Sequence, residues 1–131
     1  MIKGAKMTEY FSFLHLKFDV TKAKKLAKKY KPEKKAPILD WVFPLTYVDP
    51  SYVPSEKDLL KATIFATLPQ DHVLCTYLID GNHRVSHAIR QSIPFVNVVT
   101  LNIADSLKIL KSSKAIRNSI EADARKMGLI T

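Results

Sequence analysis

Five consecutive residues, Asp80-Gly81-Asn82-His83-Arg84, with His87 four places beyond His83, bring an acid, two imidazoles and a guanidinium into one short stretch. They stand where an apolar, strand-forming run, VLCTYLI, gives way to a helical pattern. The first turn of a helix presents backbone N–H groups without acceptors and a partial positive charge. Gly81 permits a tight turn and close approach of the backbone to a ligand. Arg84 adds a planar fork of donors and His83 one more. Strand, glycine, donors and helix in that order make an anion site, most often one for phosphate. Asp80 repels phosphate unless a divalent cation lies between them, so Mg²⁺ with ATP or another NTP would account for it; it could instead orient His83 or Arg84 by a hydrogen bond. No GxxxxGK[ST] pattern occurs, so this is not a P-loop.

The same residues admit other chemistry. His83 and His87, at i and i+4, could share a metal ion with Asp80 as third ligand, but Arg84 follows His83 where a zinc protease helix carries glutamate. A metal-dependent nuclease built on Asp80, His83 and His87 is the corresponding activity. The single cysteine, Cys75, lies in the apolar run and is expected to be a buried core thiol, which excludes an intrachain disulfide and argues against a cysteine nucleophile.

The helix needed to hold these groups is legible in its periodicity. Val85, Ala88, Ile89 and Ser92 fall on one arc that would pack on a sheet, with His83, His87 and Arg90 on the other side. Further back, residues 10 to 20 alternate and suggest one strand. Thr21 offers a cap for a helix through Tyr30, and KPEKKAP suggests a loop. ILDWVF and LTYV are short strand candidates. Ser55 would cap a helix from about Glu56 to Leu68 that buries Leu59, Leu60, Ile64 and Phe65, with PQDH as a turn. FVNVVTLN is a further strand. Two closing helices follow, one from near Asp105, the other capped by Ser112 or Ser113, burying Ile116, Ile120, Ala124 and Met127 and ended by Gly128. This alternation predicts a mixed α+β fold. Residues 1–8 are expected to form a flexible tail and residues 9–131 a single compact domain.

Composition sets the outer limits. The chain has 131 residues, 47% of them hydrophobic and 25% charged, which suits one globular domain. No apolar run reaches the length of a membrane span, and no disulfide framework or apolar leader is present, so a cytoplasmic setting without a membrane partner is expected. The net charge is +9, and residues 1–35, with eleven lysines and three acids, carry +8 of it. Lys24, Lys25, Lys28 and Lys29 form the dense part and are candidates for gripping nucleic-acid phosphates. Nothing indicates an oligomeric state.

The segment LIDGNHRVSHAIRQSIPFVNVV resembles the nucleotide-binding box of the ParB/sulfiredoxin superfamily, in the Asp-Gly-x-His-Arg form found in free-serine kinases. The likeness covers residues 73 to 101 and extends back to PLTYVDPSYVPSEKDLLKA, the place of that family's first box. It implies a ParB/sulfiredoxin-like mixed sheet with packed helices. It implies that Gly81, Asn82, His83 and Arg84 contact NTP phosphates, and that Asp80 sits near Mg²⁺ or the transferred group. It also implies a catalytic part for Asp80 and His83 in a phosphotransferase or NTPase, with Asp49 as the acidic residue of the first box. Asn82 stands where sulfiredoxins carry cysteine, which argues against reductase chemistry. DPSYVPS lacks the Gln and Arg of partition proteins, which argues against centromere-type DNA recognition.

Overall fold

The computed structural model describes residues 7–41, 51 and 53–131. A two-stranded hairpin, β1 (Tyr10–Phe13) and β2 (Leu16–Asp19), leads into helix α1 (Val20–Ala27). Strand β3 (Glu33–Lys35), a 3-10 turn at Leu39–Trp41 and a short helix α2 (Glu56–Leu60) follow. Then come β4 (Thr63–Gln70), β5 (Val73–Asp80), α3 (Asn82–Arg90), β6 (Val96–Thr100), α4 (Ile103–Ile109) and α5 (Lys114–Lys126). The main sheet runs β3-β6-β4-β5 and is mixed: β4 lies parallel to β6, while β4–β5 and β3–β6 are antiparallel. The expected α+β domain with a mixed sheet and packed helices is therefore present. No helix of the described residues is long and apolar enough to cross a membrane.

Both faces of the sheet are covered. On one side Phe18, Leu26, Ile64, Ala66, Leu68, Ile79, Val99 and Leu107 join the β1–β2 hairpin, α1, α4 and α5 in the larger core. On the other, Phe65, Leu78, Val96 and Val98 meet Val85 and Ala88 of α3. Trp41 packs edge-on against Phe65, ring centres 5.1 Å apart. Strand β4 alternates between the two cores, which is why the run Ile64-Phe65-Ala66 is apolar at consecutive positions rather than at every second one.

That double burial accounts for the largest departure from expectation. A helix to Leu68 is predicted, but α2 stops at Leu60, Lys61 is already extended (φ −67°, ψ 144°), and Thr63–Gln70 is the central strand. A short, mostly apolar run fits either period, and the Thr, Ile and Phe at 63–65 were the discriminating signal. Leu60 is accordingly exposed, and Ile64 and Phe65 are buried from a strand. Residues 10 to 20 are not one strand. Leu14 takes a left-handed conformation (φ 53°) and folds them into the β1–β2 hairpin.

Smaller corrections follow. Asp19 rather than Thr21 caps α1, accepting from Lys22 N at 2.9 Å, while the Thr21 hydroxyl accepts from Glu9 N. Part of KPEKKAP is β3. Leu39–Trp41 is a 3-10 turn, and the rest of the strands expected around Pro44 lies outside the described residues. Pro69 and Gln70 belong to β4, so the turn is Asp71-His72 alone. Cys75 is half-buried, because β5 lies at the end of the sheet and its first residues are exposed. Ser92 falls beyond α3 in a left-handed conformation and is exposed. Asn102 caps α4, which begins at Ile103. On α5 only Ala124 is fully buried.

Candidate functional site

Strand β5 ends at Asp80, and a register shift decides where that carboxylate emerges. Phe65 pairs with Leu78 but its neighbour Ile64 pairs with Asp80, which leaves Ile79 without a partner of its own. An extra residue in one strand re-aims the side chain after it. Strict alternation would put Asp80 with Leu78, on the α3 side. The bulge brings it instead to the side of Ile64 and α1.

Gly81 follows with φ +106°, a conformation that L side chains rarely adopt. A Cβ there would also lie 2.9 Å from Thr63 Oγ1 and 3.0 Å from Arg84 Nη2. The glycine is thus demanded twice, by its torsion and by the closeness of its neighbours. As the N-cap of α3 it supplies no side-chain acceptor.

Around Gly81 the polar groups are incompletely matched. Thr63 is wholly buried and its hydroxyl has no hydrogen-bond partner; the same holds for the side-chain oxygen of the buried Asn82 and for Arg84 Nε. Among the described residues only one other buried side-chain polar atom, Thr67 Oγ1, is in that condition. An unmatched buried polar group costs roughly 1–3 kcal/mol, so a cluster of three marks a place that a polar ligand or water would complete.

Arg84 was expected to offer a fork of donors to a phosphate. Its side chain is 12% exposed. It folds back so that Nη2 donates to Ala62 O at 3.0 Å and to Asp80 Oδ2 at 3.4 Å. Only Nη2 meets a protein acceptor among the described residues. The fork is held in place by one nitrogen and not consumed by it.

Beside the guanidinium lies a cavity of about 520 Å³. Arg84 and Asp80 form part of its wall, Lys24 and Lys28 reach it from α1, and Lys61 from the end of α2. Tyr30, Pro32, Ile64 and Val99 give it an apolar side. Four cations and one carboxylate line it, with Lys24 also paired to Glu9 and Lys61 to Asp58 just outside. A hydrogen bond to Glu9 (2.8 Å) raises the Lys24 ammonium above its ordinary value, partial burial opposes this, and the charge of Asp80 adds to the rise. The Tyr30 hydroxyl donates to Asp105 Oδ2 at 2.7 Å and accepts from Asn102 N at 2.9 Å, which fixes the ring against the cavity. Burial is the main cause that pushes the Tyr30 phenol up, and its hydrogen bond is the main cause that holds the Asp105 carboxyl below the usual range.

The expected site residues therefore divide. Asp80 and Arg84 meet at the cavity, and Lys24 and Lys28, expected to serve a separate nucleic-acid surface, converge on it. Lys25 and Lys29 are exposed and do not line it. Gly81, Asn82 and His83 stand beside the cavity, outside its lining. His87 is half-buried on α3 and away from it. Among the described residues no three His, Cys, Asp or Glu side chains group as metal ligands, so Asp80, His83 and His87 do not form a centre of that kind. Asp49 lies outside the described residues. Sequence reasoning missed Lys61 and Thr63, because it placed both inside a helix, and Tyr30. A lysine two places before the β-branched pair Thr63-Ile64 was the available signal.

No family model, curated protein or solved structure matches the chain.

Proposed function

We propose that this corner binds the phosphate groups of a nucleoside triphosphate, and that the chain is a nucleotide-binding domain of ParB/sulfiredoxin type. The observation that carries this reading is the convergence of Lys24, Lys28, Lys61 and Arg84 from three separate elements on one cavity beside a helix start without a side-chain cap. A volume of about 520 Å³ suits a ligand of nucleotide size. Gly81 lets the backbone come close, and the unmatched groups of Thr63, Asn82 and Arg84 are donors and acceptors awaiting partners. A strand, a Gly-x-His-Arg turn and a helix laid on a mixed sheet support the family resemblance.

Asp80 fits a Mg²⁺ ion that arrives with the nucleotide, since Mg²⁺ commonly takes one or two carboxylates and completes its shell with phosphate and water. The ion would bridge Asp80 to the phosphates and neutralise their charge. Arg84 and His83 would serve a phosphotransferase or NTPase by countering charge on the transferred group.

The test is a thermal-shift and calorimetric series with ATP, CTP and GTP, each with and without Mg²⁺. A ligand at a hundred times its dissociation constant stabilises by about 2.7 kcal/mol. The wild type should respond to at least one nucleotide, and Arg84→Ala should not. Arg84→Lys, which keeps the charge without the fork, should respond weakly. Unchanged calorimetric affinity in Arg84→Ala refutes the assignment.

Exposed Lys25 and Lys29, next to the cavity lysines on α1, favour a second reading in which a nucleic-acid backbone runs across this face. That reading requires an affinity that falls steeply with salt and is indifferent to the base.

A further inference from the structure

At the far end of the β4–β5 hairpin lies a second cavity, of about 470 Å³, between the β1–β2 turn, the β4–β5 turn and α5. Its chemistry differs from that of the basic corner. His72 sits in the turn at φ +63°, a left-handed conformation that a non-glycine residue adopts only when its surroundings impose it. The two-residue β4–β5 turn requires it of both Asp71 and His72, and Asp123 of α5 then grips His72 with both oxygens. Oδ2 accepts from the His72 backbone N–H at 3.1 Å, and Oδ1 lies 2.6 Å from Nδ1. The carboxylate therefore fixes the ring's orientation and places the Nδ1 proton, which leaves Nε2 as the nitrogen with an available lone pair.

We infer that this cavity is a general-base site for hydrolysis of small acyl esters, with His72 as the catalytic base and Asp123 as its positioning residue. An imidazole whose Nδ1–H is held by a buried carboxylate is the orienting half of a hydrolytic constellation. Here the Asp123 side chain is 16% exposed while that of His72 is 65% exposed, so the holder is sheltered and the base is reachable. Leu16, Leu68, Ile116 and Ile120 provide an apolar floor for an acyl chain, and the Lys126 ammonium is the cation on the wall for a developing oxyanion. Tyr77, also on the wall, is not the base: burial above all pushes its phenol up to about 12, and its hydroxyl donates to Gln70 Oε1 at 2.7 Å.

Nε2 takes a proton from water as the water oxygen bonds to the ester carbonyl carbon. The tetrahedral oxyanion then collapses, the carbon–alkoxy bond breaks, and the imidazolium returns the proton to the departing oxygen. A carboxylic acid and an alcohol are released, and His72 is restored. Water is the second reactant, and no metal or oxidant enters.

The test uses p-nitrophenyl acetate and butyrate with the whole chain. His72→Asn is the main variant, because asparagine tolerates the left-handed turn while removing the base. Asp123→Asn keeps the shape of the holder but not its charge. The wild type should hydrolyse both esters with saturation and with a lower KM for butyrate. His72→Asn should lower kcat by about 100-fold or more with KM little changed. Asp123→Asn should lower kcat in the same manner, a split that a merely structural clasp would not produce. Melting temperatures of all three proteins are recorded alongside, so loss of fold is separated from loss of the base. A wild-type rate no greater than that of the same concentration of N-acetylhistidine, or a His72→Asn rate equal to wild type, overturns the inference.

Discussion

Helix α3 begins differently from the four other α-helices of the described chain. Asp19, Ser55, Asn102 and Ser113 each place a side-chain oxygen on a backbone N–H two or three residues into their helix. Gly81 places none. A capped terminus has one of its free donors satisfied internally. An uncapped one keeps both its N–H groups and its dipole for something external. The three unmatched buried atoms stand at that one uncapped start and at none of the four capped ones. Among the described helices, four starts are closed by a side chain and the one beside the basic cavity is left open.

The contrast breaks most severely at Gly81 itself. Gly81→Val sets a branched Cβ against Thr63 and forces a disfavoured torsion, and should cost roughly 3 kcal/mol of stability in chemical denaturation, with loss of any nucleotide response. Next in size, Lys24→Gln with Lys28→Gln should weaken triphosphate binding by about tenfold to a hundredfold while leaving the melting temperature near wild type. Equal affinity would detach the cavity from the helix start. Removing a cap elsewhere sharpens the comparison from the other side. Asn102→Ala or Ser113→Ala should each cost about 1 kcal/mol and leave the ligand-induced shift intact. The smallest effect concerns pH. The Asp105 carboxyl is held below its usual value of about 3.9, so its stabilising share is complete above that pH and fades as pH falls through the lower native value. Asp105→Asn should flatten the acid limb of a stability–pH curve.

How much of this could be read beforehand depended on whether the signal was local. The turn at Asp80-Gly81, the helix after it and its buried Val85 and Ala88 were legible, because a glycine break and a 3.6-residue period are properties of neighbours in sequence. The cap at Ser55 was legible for the same reason, and that at Ser113 to within one residue, between Ser112 and Ser113. Strand β4 was not, since burial on both faces erases the alternation that marks a strand. The inward fold of Arg84 onto Ala62 O was equally hidden: it depends on a residue 22 positions earlier. The lysines of α1 looked like a charged surface because nothing in their own spacing says that Lys24 and Lys28, but not Lys25 and Lys29, face a hollow shared with Lys61.

The unpartnered Ile79 has a consequence of another kind. Which side of the sheet receives Asp80 is governed by register, not by residue type. Exchanging Ile79 for valine or leucine keeps the surplus residue and the acid's place; removing Ile79 would leave a regular ladder in which the acid follows Leu78 directly and still falls opposite Ile64. The surplus residue is what lets Leu78 and Asp80, two positions apart, face opposite layers.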